Sequence, residues 1–563
     1  MAEIITRDYP AEVALALEQQ GCHPVLARVL AARGIRSTAQ LDPGLSGLIP
    51  PERLTNVTQM ASLLADAIAQ KNTLLVVGDY DADGATASAV AVSGLRRFGA
   101  LVDYLVPNRF EYGYGLTPEI VQLAARGAPD FIITVDNGIA SVEGVSVANG
   151  LGMRVLVTDH HLPGDRVPEA ACIINPNQRG CDFPSKHLAG VGVVFYLMLA
   201  LRAELRDRGA YEAGKEPNLS DLLDLVALGT VADLVKLDDN NRILVEQGLR
   251  RMRAGRARPG IMALLKVAGR DYARVSAQDL GFAVGPRLNA AGRLEDMSLG
   301  IECLLSEDPA QAMAMAQRLD ALNRERRSIE ADMHESALSG LGDVDPGERY
   351  SLSLYRPDWH QGVIGILASR LKERFHRPVI AFAAAGDGTI KGSGRSIPGL
   401  HLRDALDLVS KRQPDLLLRF GGHAMAAGLA IREEDFAAFA DLFEQVVRSC
   451  LHPADLESVI ETDGPLQAAE IDLALAETLD RQVWGQGFAA PEFCDAFSVR
   501  SRRIVGERHL KLVLRHAGRD FDAIFFNCDA ELPEQIRAVY RPQVNEYNGS
   551  RSLQLQLRYW EPC

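Results

Sequence analysis

Four short strings carry residue types from which hydrolytic chemistry is made: Asp79-Tyr80-Asp81-Ala82-Asp83-Gly84, Asp136-Asn137-Gly138, Asp159-His160-His161 and Val231-Ala232-Asp233. Carboxylate oxygens with one or two imidazoles form a hard donor set, suited to Mn2+ or Mg2+ and not to a thiolate-seeking metal. A carboxylate able to bridge, with further acids on either side, is how proteins hold two divalent ions about 3.5–4 Å apart. Such a pair acidifies water and neutralises phosphoryl charge, so hydrolysis of a phosphate ester or anhydride is the expected chemistry. It requires no protein nucleophile, and no convincing Ser/His/Asp or Cys/His set stands in the chain. Two plainer readings compete. An aspartate after a strand commonly caps the next helix. The first string also matches the opening six positions of a calcium loop, but position 12 would be Val90 instead of a bidentate glutamate. Capping accounts for any one string better than for all four together.

Each string follows an apolar segment. Leu74-Leu75-Val76-Val77, Phe131-Ile132-Ile133-Thr134-Val135 and Val155-Leu156-Val157 read as buried strands, and a mostly apolar segment, Leu222 to Leu228, precedes the fourth string. Amphipathic stretches near 85–98, 117–126 and 141–150 separate the strands, which predicts a parallel sheet with crossover helices. Ligands of such sheets bind outside the carboxyl ends of the strands, where the strand order reverses. Four acid clusters arriving at that edge predict one convergent site.

The 563 residues are enough for about three to five domains. Hydrophobic residues at 47% and charged residues at 24% exclude wholesale disorder. No run approaches the roughly 18 apolar residues of a membrane span, and the start, MAEIITRDYP, lacks a secretion-signal pattern. Eight scattered cysteines without a C-x-x-C pair exclude a zinc knuckle and a disulfide framework, so a reducing cytoplasm is the expected location. The net charge of −14 argues against a nucleic-acid partner only on average. Arg500, Arg502, Arg503, Arg508, Lys511, Arg515 and Arg519 form a local basic run, either a phosphate-tracking patch or a solvated arginine face.

These patterns predict an α/β multidomain chain: a helical segment over 1–45, a catalytic domain over 46–235, a helical connector over 236–340, a second α/β domain over 341–452, and a small β-barrel over 453–563. The barrel is read from short strands near 510–514, 521–526 and 553–557. In the second α/β domain, Gly392-Ser393-Gly394-Arg395-Ser396 and Gly421-Gly422-His423-Ala424-Met425-Ala426-Ala427-Gly428 combine glycine turns, which let backbone N–H groups approach an anion, with a bidentate phosphate donor.

Taken in order, the four acidic strings resemble the motifs of the DHH phosphoesterase superfamily, and the two glycine-rich strings resemble its associated substrate-binding domain. Two further blocks, Pro107-Asn108-Arg109-Phe110 with Gly113-Tyr114-Gly115, and Gly285-Pro286-Arg287-Leu288-Asn289-Ala290-Ala291-Gly292-Arg293, are similar to those of its bacterial single-strand-specific 5′ exonucleases. The resemblance implies metal ligation by Asp81, Asp83, Asp136, His160 and Asp233, with Asp136 bridging. Many members carry a histidine where Val77 stands, which gives Asp79 a supporting role. Asp159 is implied as an orienting carboxylate, and His161 as facing the scissile phosphate. Ser393, Arg395, Gly422 and His423 would bind nucleotide or phosphate. Arg109 and Arg287 would grip the strand or its 5′ end, with Arg293 a further candidate; Asn289 either bonds substrate or caps a turn.

The implied activity is 5′→3′ exonuclease action on single-stranded DNA with two Mn2+ or Mg2+ ions, in mismatch repair and recombination. The associated domain would face the catalytic one across a cleft, the barrel would be an OB-fold, and the chain would act as a monomer. Single-strand-binding protein and a RecQ-type helicase are the implied partners. Phe521, Phe525, Phe526 and Tyr547 are candidate stacking platforms, or barrel core. A phosphodiesterase of short oligonucleotides or cyclic dinucleotides, and a non-catalytic DNA-binding scaffold, are the alternatives.

Overall fold

Five parallel strands build the sheet behind the acidic strings: β1 (Thr73–Gly78), β2 (Leu101–Leu105), β3 (Phe131–Val135), β4 (Arg154–Thr158) and β5 (Cys172–Ile174). Their order is β2-β1-β3-β4-β5, so the winding reverses at β1 and β3. Alternate side chains serve opposite faces. Ile132, Val155 and Val157 pack with helices α2 (Pro118–Ala125) and α3 (Val142–Gly150). Ile133, Val135 and Leu156 join the core containing α1 (Ala82–Arg97), α4 (Gly190–Asp207) and α5 (Leu223–Ala232). Covering both faces makes the central strands continuous apolar runs. The register places Gly78, Val135, Thr158 and Ile174 side by side. The residues that follow, Asp79, Asp136, Asp159 and Asn175, therefore emerge together along one edge.

The computed structural model describes residues 2–563 except 109–111, 113–114, 213, 342–348, 507–508, 529 and 548–549. The chain divides into two compact units, Met1–Thr6 with Asn323–Glu461, and Arg7–Leu322 with Thr462–Cys563. The boundary falls inside one long helix, Pro309–Leu341. In the larger unit, helix α6 (Gly285–Leu294) follows a π-helical turn at Leu280–Val284.

The same unit contains a closed barrel of β11 (Phe493–Val505), β12 (His509–His516), β13 (Arg519–Phe525), β14 (Gln535–Tyr547) and β15 (Ser550–Pro562). Its ring order is β11-β12-β13-β15-β14, and β13 runs parallel to β15. Phe521 is buried and Phe525 packs on the core, whereas Phe526 is exposed; the Tyr547 side chain lies outside the described residues. Two cations of the basic run are neutralised across strands, Lys511 by Asp522 and Arg515 by Asp520.

The smaller unit holds a five-stranded mixed sheet, β6 (Leu352–Arg356), β7 (Val379–Gly386), β8 (Thr389–Arg395), β9 (Arg419–Gly422) and β10 (Ala426–Arg432), in the order β9-β10-β8-β7-β6. Phe382, Phe439 and Phe443 centre its core. The N-terminal segment, expected to be helical, has helices at Ala11–Gln19 and Pro24–Ala32 but begins with a strand, Glu3–Thr6, paired with Val459–Thr462. Four mostly exposed residues carry too little pattern to announce it.

Candidate metal centre

Asp136 stands at the carboxyl end of β3 with φ +63°, the left-handed region that L-residues seldom occupy. A conformation of that kind costs roughly 1–3 kcal/mol and persists where surrounding structure imposes it. The Asp136 N–H donates to the Thr158 carbonyl. Asp81 caps α1: one of its oxygens accepts the N–H groups of Asp83 (2.9 Å) and Gly84 (3.0 Å). Capping and site membership are thus combined in one carboxylate. Asp83, in the first turn of α1, is fully buried and accepts the N–H groups of Gly190 (2.6 Å) and Val191 (2.9 Å) at the start of α4. A helix N-terminus favours an anion placed there. The structure corrects one expectation: Asp233 comes from the C-terminal end of a helix, α5, and not from a strand edge.

His160 is the hub. Its Nε2 lies 3.1 Å from Asp136 Oδ1, 3.6 Å from Asp233 Oδ2 and 4.0 Å from Asp83 Oδ2. Asp159 is buried beneath the loop, where it accepts the N–H groups of Ile139, His160 and His161 and bonds His161 Nδ1 at 2.8 Å. Burial opposes charge on both partners. The bond between them nonetheless raises the His161 pKa and holds Asp159 below its ordinary value.

Among the described residues, three overlapping donor groups have ligand atoms within 4.8 Å of one another: Asp79, Asp81 and Asp136; Asp83, His160 and Asp233; and Asp136, His160 and His161. Carboxylate oxygens with imidazole nitrogens fit Mn2+ or Mg2+, and Asp136 belongs to two of the groups. Electrostatics call for the same charge. Burial, then the charges of Asp83, Asp81, Asp233 and Asp79, push the Asp136 carboxyl well above the usual carboxylate range. Burial and the neighbouring acids do the same to Asp233. Asp83 is pushed up to about 7 by burial and Asp81, against the pull of the Gly190 and Val191 N–H groups.

A carboxyl whose folded-state pKa lies above its unfolded value contributes its full stability only below the unfolded value of about 4. Here that contribution is lost as the pH rises through about 7. Metal-free protein is therefore expected to lose thermal stability across that window, and a divalent cation to restore it. Unfolding curves in EDTA and in Mn2+, at about pH 5 and about pH 8, should show the larger Mn2+-induced rise at the higher pH. Equal rises would count against a site built from these acids.

Several supporting residues were not singled out by sequence. Asn175 and Asn177 donate side-chain N–H groups to the carbonyls of His161 (2.8 Å) and His160 (2.6 Å), and so hold the loop from behind. Asn137 bonds the carbonyls of Val77 and Val135, tying β1 to β3. The polar Asn175-Pro176-Asn177 string directly after the short apolar β5 was the available signal.

The other expected binding residues are distributed more widely. Arg109 lies outside the described residues. Arg287 is buried, bound by Asp320 at 2.8 and 2.9 Å and by the Ala283 carbonyl. Arg293 is half-buried in the last turn of α6, and Asn289 Oδ1 accepts the Ala82 N–H at 2.8 Å. In the smaller unit, Ser393 and Arg395 share a face of β8, with Arg395 Nη1 donating to Ser393 Oγ and the Gly394 carbonyl. Burial lowers the Arg395 pKa, and no carboxylate lies within ion-pair distance of it among the described residues. Gly422 has φ +141°, and a Cβ there would overlap the Ala426 carbonyl; the exposed His423 follows in the hairpin turn.

Three protein-family descriptions match this chain: DHH family, N-terminal domain, over residues 73–230; DHHA1 domain over 349–449; and RecJ OB domain over 462–559. A Salmonella typhimurium protein named single-stranded-DNA-specific exonuclease RecJ is 52% identical over 550 residues, 94% of this chain and 95% of that one. The crystal structure of Thermus thermophilus RecJ in complex with Mn2+ superposes with a TM-score of 0.84 at 29% identity, covering all of this chain and 79% of that one. Its complex with Mg2+ gives 0.78 at 28% identity, covering all of this chain and 78% of that one. Among the described residues no helix is long and apolar enough to cross a membrane.

Proposed function

The chain belongs to the RecJ family, and from that premise we propose that it is a single-stranded-DNA-specific exonuclease, releasing 5′-mononucleotides in the 5′→3′ direction by two-metal-ion phosphodiester hydrolysis. The observation that carries this reading is the convergence of Asp79, Asp81, Asp83, Asp136, His160, His161 and Asp233 where the sheet reverses its winding. Asp81, Asp83, Asp136, His160 and Asp233 would hold the ions, with Asp136 shared and Asp79 supporting in place of a histidine at Val77. Two Mn2+ or Mg2+ ions would supply acidified water and charge neutralisation at the phosphoryl oxygens.

The chain's own groups complete the task. Asp159 holds the His161 ring at Nδ1 and favours its charged form, a donor for a phosphate oxygen. Arg395 offers a desolvated guanidinium beside the Ser393 hydroxyl, a match for a backbone phosphate. Gly422 keeps the turn narrow and leaves His423 exposed to a nucleotide. Arg109 and Arg293 are further strand contacts; Arg287 serves only by exchanging Asp320 for a phosphate. On the barrel, Arg500, Arg503 and Phe526 are exposed and suit a single strand. The enzyme acts in repair and recombination, mismatch repair included, as a cytoplasmic monomer with single-strand-binding protein and a RecQ-type helicase as partners.

An oligonucleotide labelled at one end and then the other tests the reading. With Mn2+ or Mg2+, the 5′ label should leave at once as a mononucleotide while the 3′-labelled strand shortens stepwise. EDTA should stop both, and blunt duplex should resist. Cleavage confined to dinucleotides would replace this reading with a short-substrate phosphodiesterase, and binding without cleavage in either metal with a scaffold.

A further inference from the structure

Helix α6 lies against two of the segments that carry the acids, beside Asp233 and between Asp79 and Asp83. Gly285, Asn289 and Gly292 are spaced so that they share one face. At the first, a Cβ would stand 3.2 Å from the Cβ of Ala232, the neighbour of Asp233. At the third, a Cβ would overlap the Tyr80 carbonyl, so the helix lies directly against the loop from Asp79 to Asp83. Between them, Asn289 Oδ1 accepts the Ala82 N–H at 2.8 Å.

That bond satisfies a donor in the first turn of α1 that the helix itself cannot. The first four N–H groups of a helix have no partner within it. Asp83 and Gly84 donate to the Asp81 side chain, and the ordinary helical bonding begins with Ala85, which donates to the Asp81 carbonyl. Ala82, which is buried, donates to Asn289, 207 positions away in sequence. The segment carrying Asp81 and Asp83 is therefore capped from two directions: internally by one of its own acids, and externally by a neutral acceptor that adds no charge to a crowded anionic site. On the far side of α6, the pairing of Arg287 with Asp320 anchors the helix.

We infer that Asn289 is a positioning residue for the metal centre: through the Ala82 N–H it fixes the loop presenting Asp81 and Asp83, and so sets the affinity for the divalent ions. The inference rests on the reading of these acids as metal ligands. Outer partners that orient ligands typically account for about 10–100-fold in metal affinity.

Calorimetric titration of the full chain with Mn2+ alone tests it, alongside binding of a single-stranded oligonucleotide in EDTA and the thermal midpoint of each variant. Asn289→Ala should weaken Mn2+ binding by about 10–100-fold and leave oligonucleotide affinity in EDTA unchanged. Asn289→Asp retains the shape and the acceptor and should hold Mn2+ markedly better than the alanine variant. Superimposable Mn2+ isotherms for wild type and Asn289→Ala, with weaker oligonucleotide binding, would make Asn289 a substrate contact and overturn the inference. Equal loss of Mn2+ binding in both variants would also overturn it, since the acceptor would then be irrelevant. A wild-type protein that takes up no Mn2+ would instead overturn the metal reading on which it rests.

Discussion

Asp136→Ala is expected to abolish metal-dependent hydrolysis, by about 10³-fold, because a metal pair supplies several kcal/mol of transition-state charge stabilisation. Among the described residues no other carboxylate belongs to two donor groups. Asp136 belongs to two of the three donor groups and lies 3.1 Å from the hub imidazole of His160. Alanine also fits the left-handed backbone at this position poorly. Asp136→Asn separates the two effects, because asparagine tolerates that backbone and keeps the size while removing the charge. The ionised form of Asp136 is disfavoured by burial and by its acidic neighbours. The asparagine variant should therefore be at least as stable as wild type in EDTA near neutral pH, yet as inactive as the alanine variant. Single-turnover cleavage of a 5′-labelled oligonucleotide and thermal unfolding in EDTA measure the two quantities. An asparagine variant cleaving within tenfold of wild type would remove Asp136 from the metal centre.

The sequence made parts of this arrangement legible for a definite reason. Buried central strands read as unbroken apolar runs, so β1, β3 and β4 were visible, together with the acids that follow them. The edge strand β2 is partly exposed and β5 is only three residues long; neither gives a run to detect. Residues 222–228 are fully buried on every side, which erases the helical period, and so α5 could not be told from a strand by pattern alone. The supports are harder still to find. Asn175 and Asn177 act on nearby carbonyls, but Gly190 and Val191 reach Asp83 across more than a hundred positions, through backbone N–H groups that any sequence supplies. The α6 block illustrates a different limit. Arg287 draws the eye as a charge for nucleic acid, but the contacts of Gly285, Asn289 and Gly292 with Ala232 and with the loop from Asp79 to Asp83 are made by small or neutral residues that carry no such signal.

Gly190→Ala should disable the centre without touching an ionisable group. A Cβ at Gly190 would stand 2.5 Å from both Cβ and Oδ1 of Asp136, closer than non-bonded atoms are found. Nor can this neighbour swing aside cheaply, since Asp136 is buried, left-handed and tied through its N–H to the Thr158 carbonyl. Relief must come either from the Asp136 carboxylate or from the start of α4, whose N–H groups hold Asp83. Both routes displace an acid of the cluster. A misplacement of about 1 Å can cost about 10²-fold in rate, and overpacking a buried position costs roughly 1–3 kcal/mol of stability. Gly192→Ala is the control. It lies in the same helix, and its nearest neighbour is the Leu188 side-chain tip at 3.1 Å, which can yield; alanine is also the better helix former. Mn2+ titration and cleavage assays on the pair should show Gly190→Ala impaired in both and Gly192→Ala close to wild type. If the two variants behaved alike, the close approach of α4 to Asp136 would not be what holds this carboxylate in place.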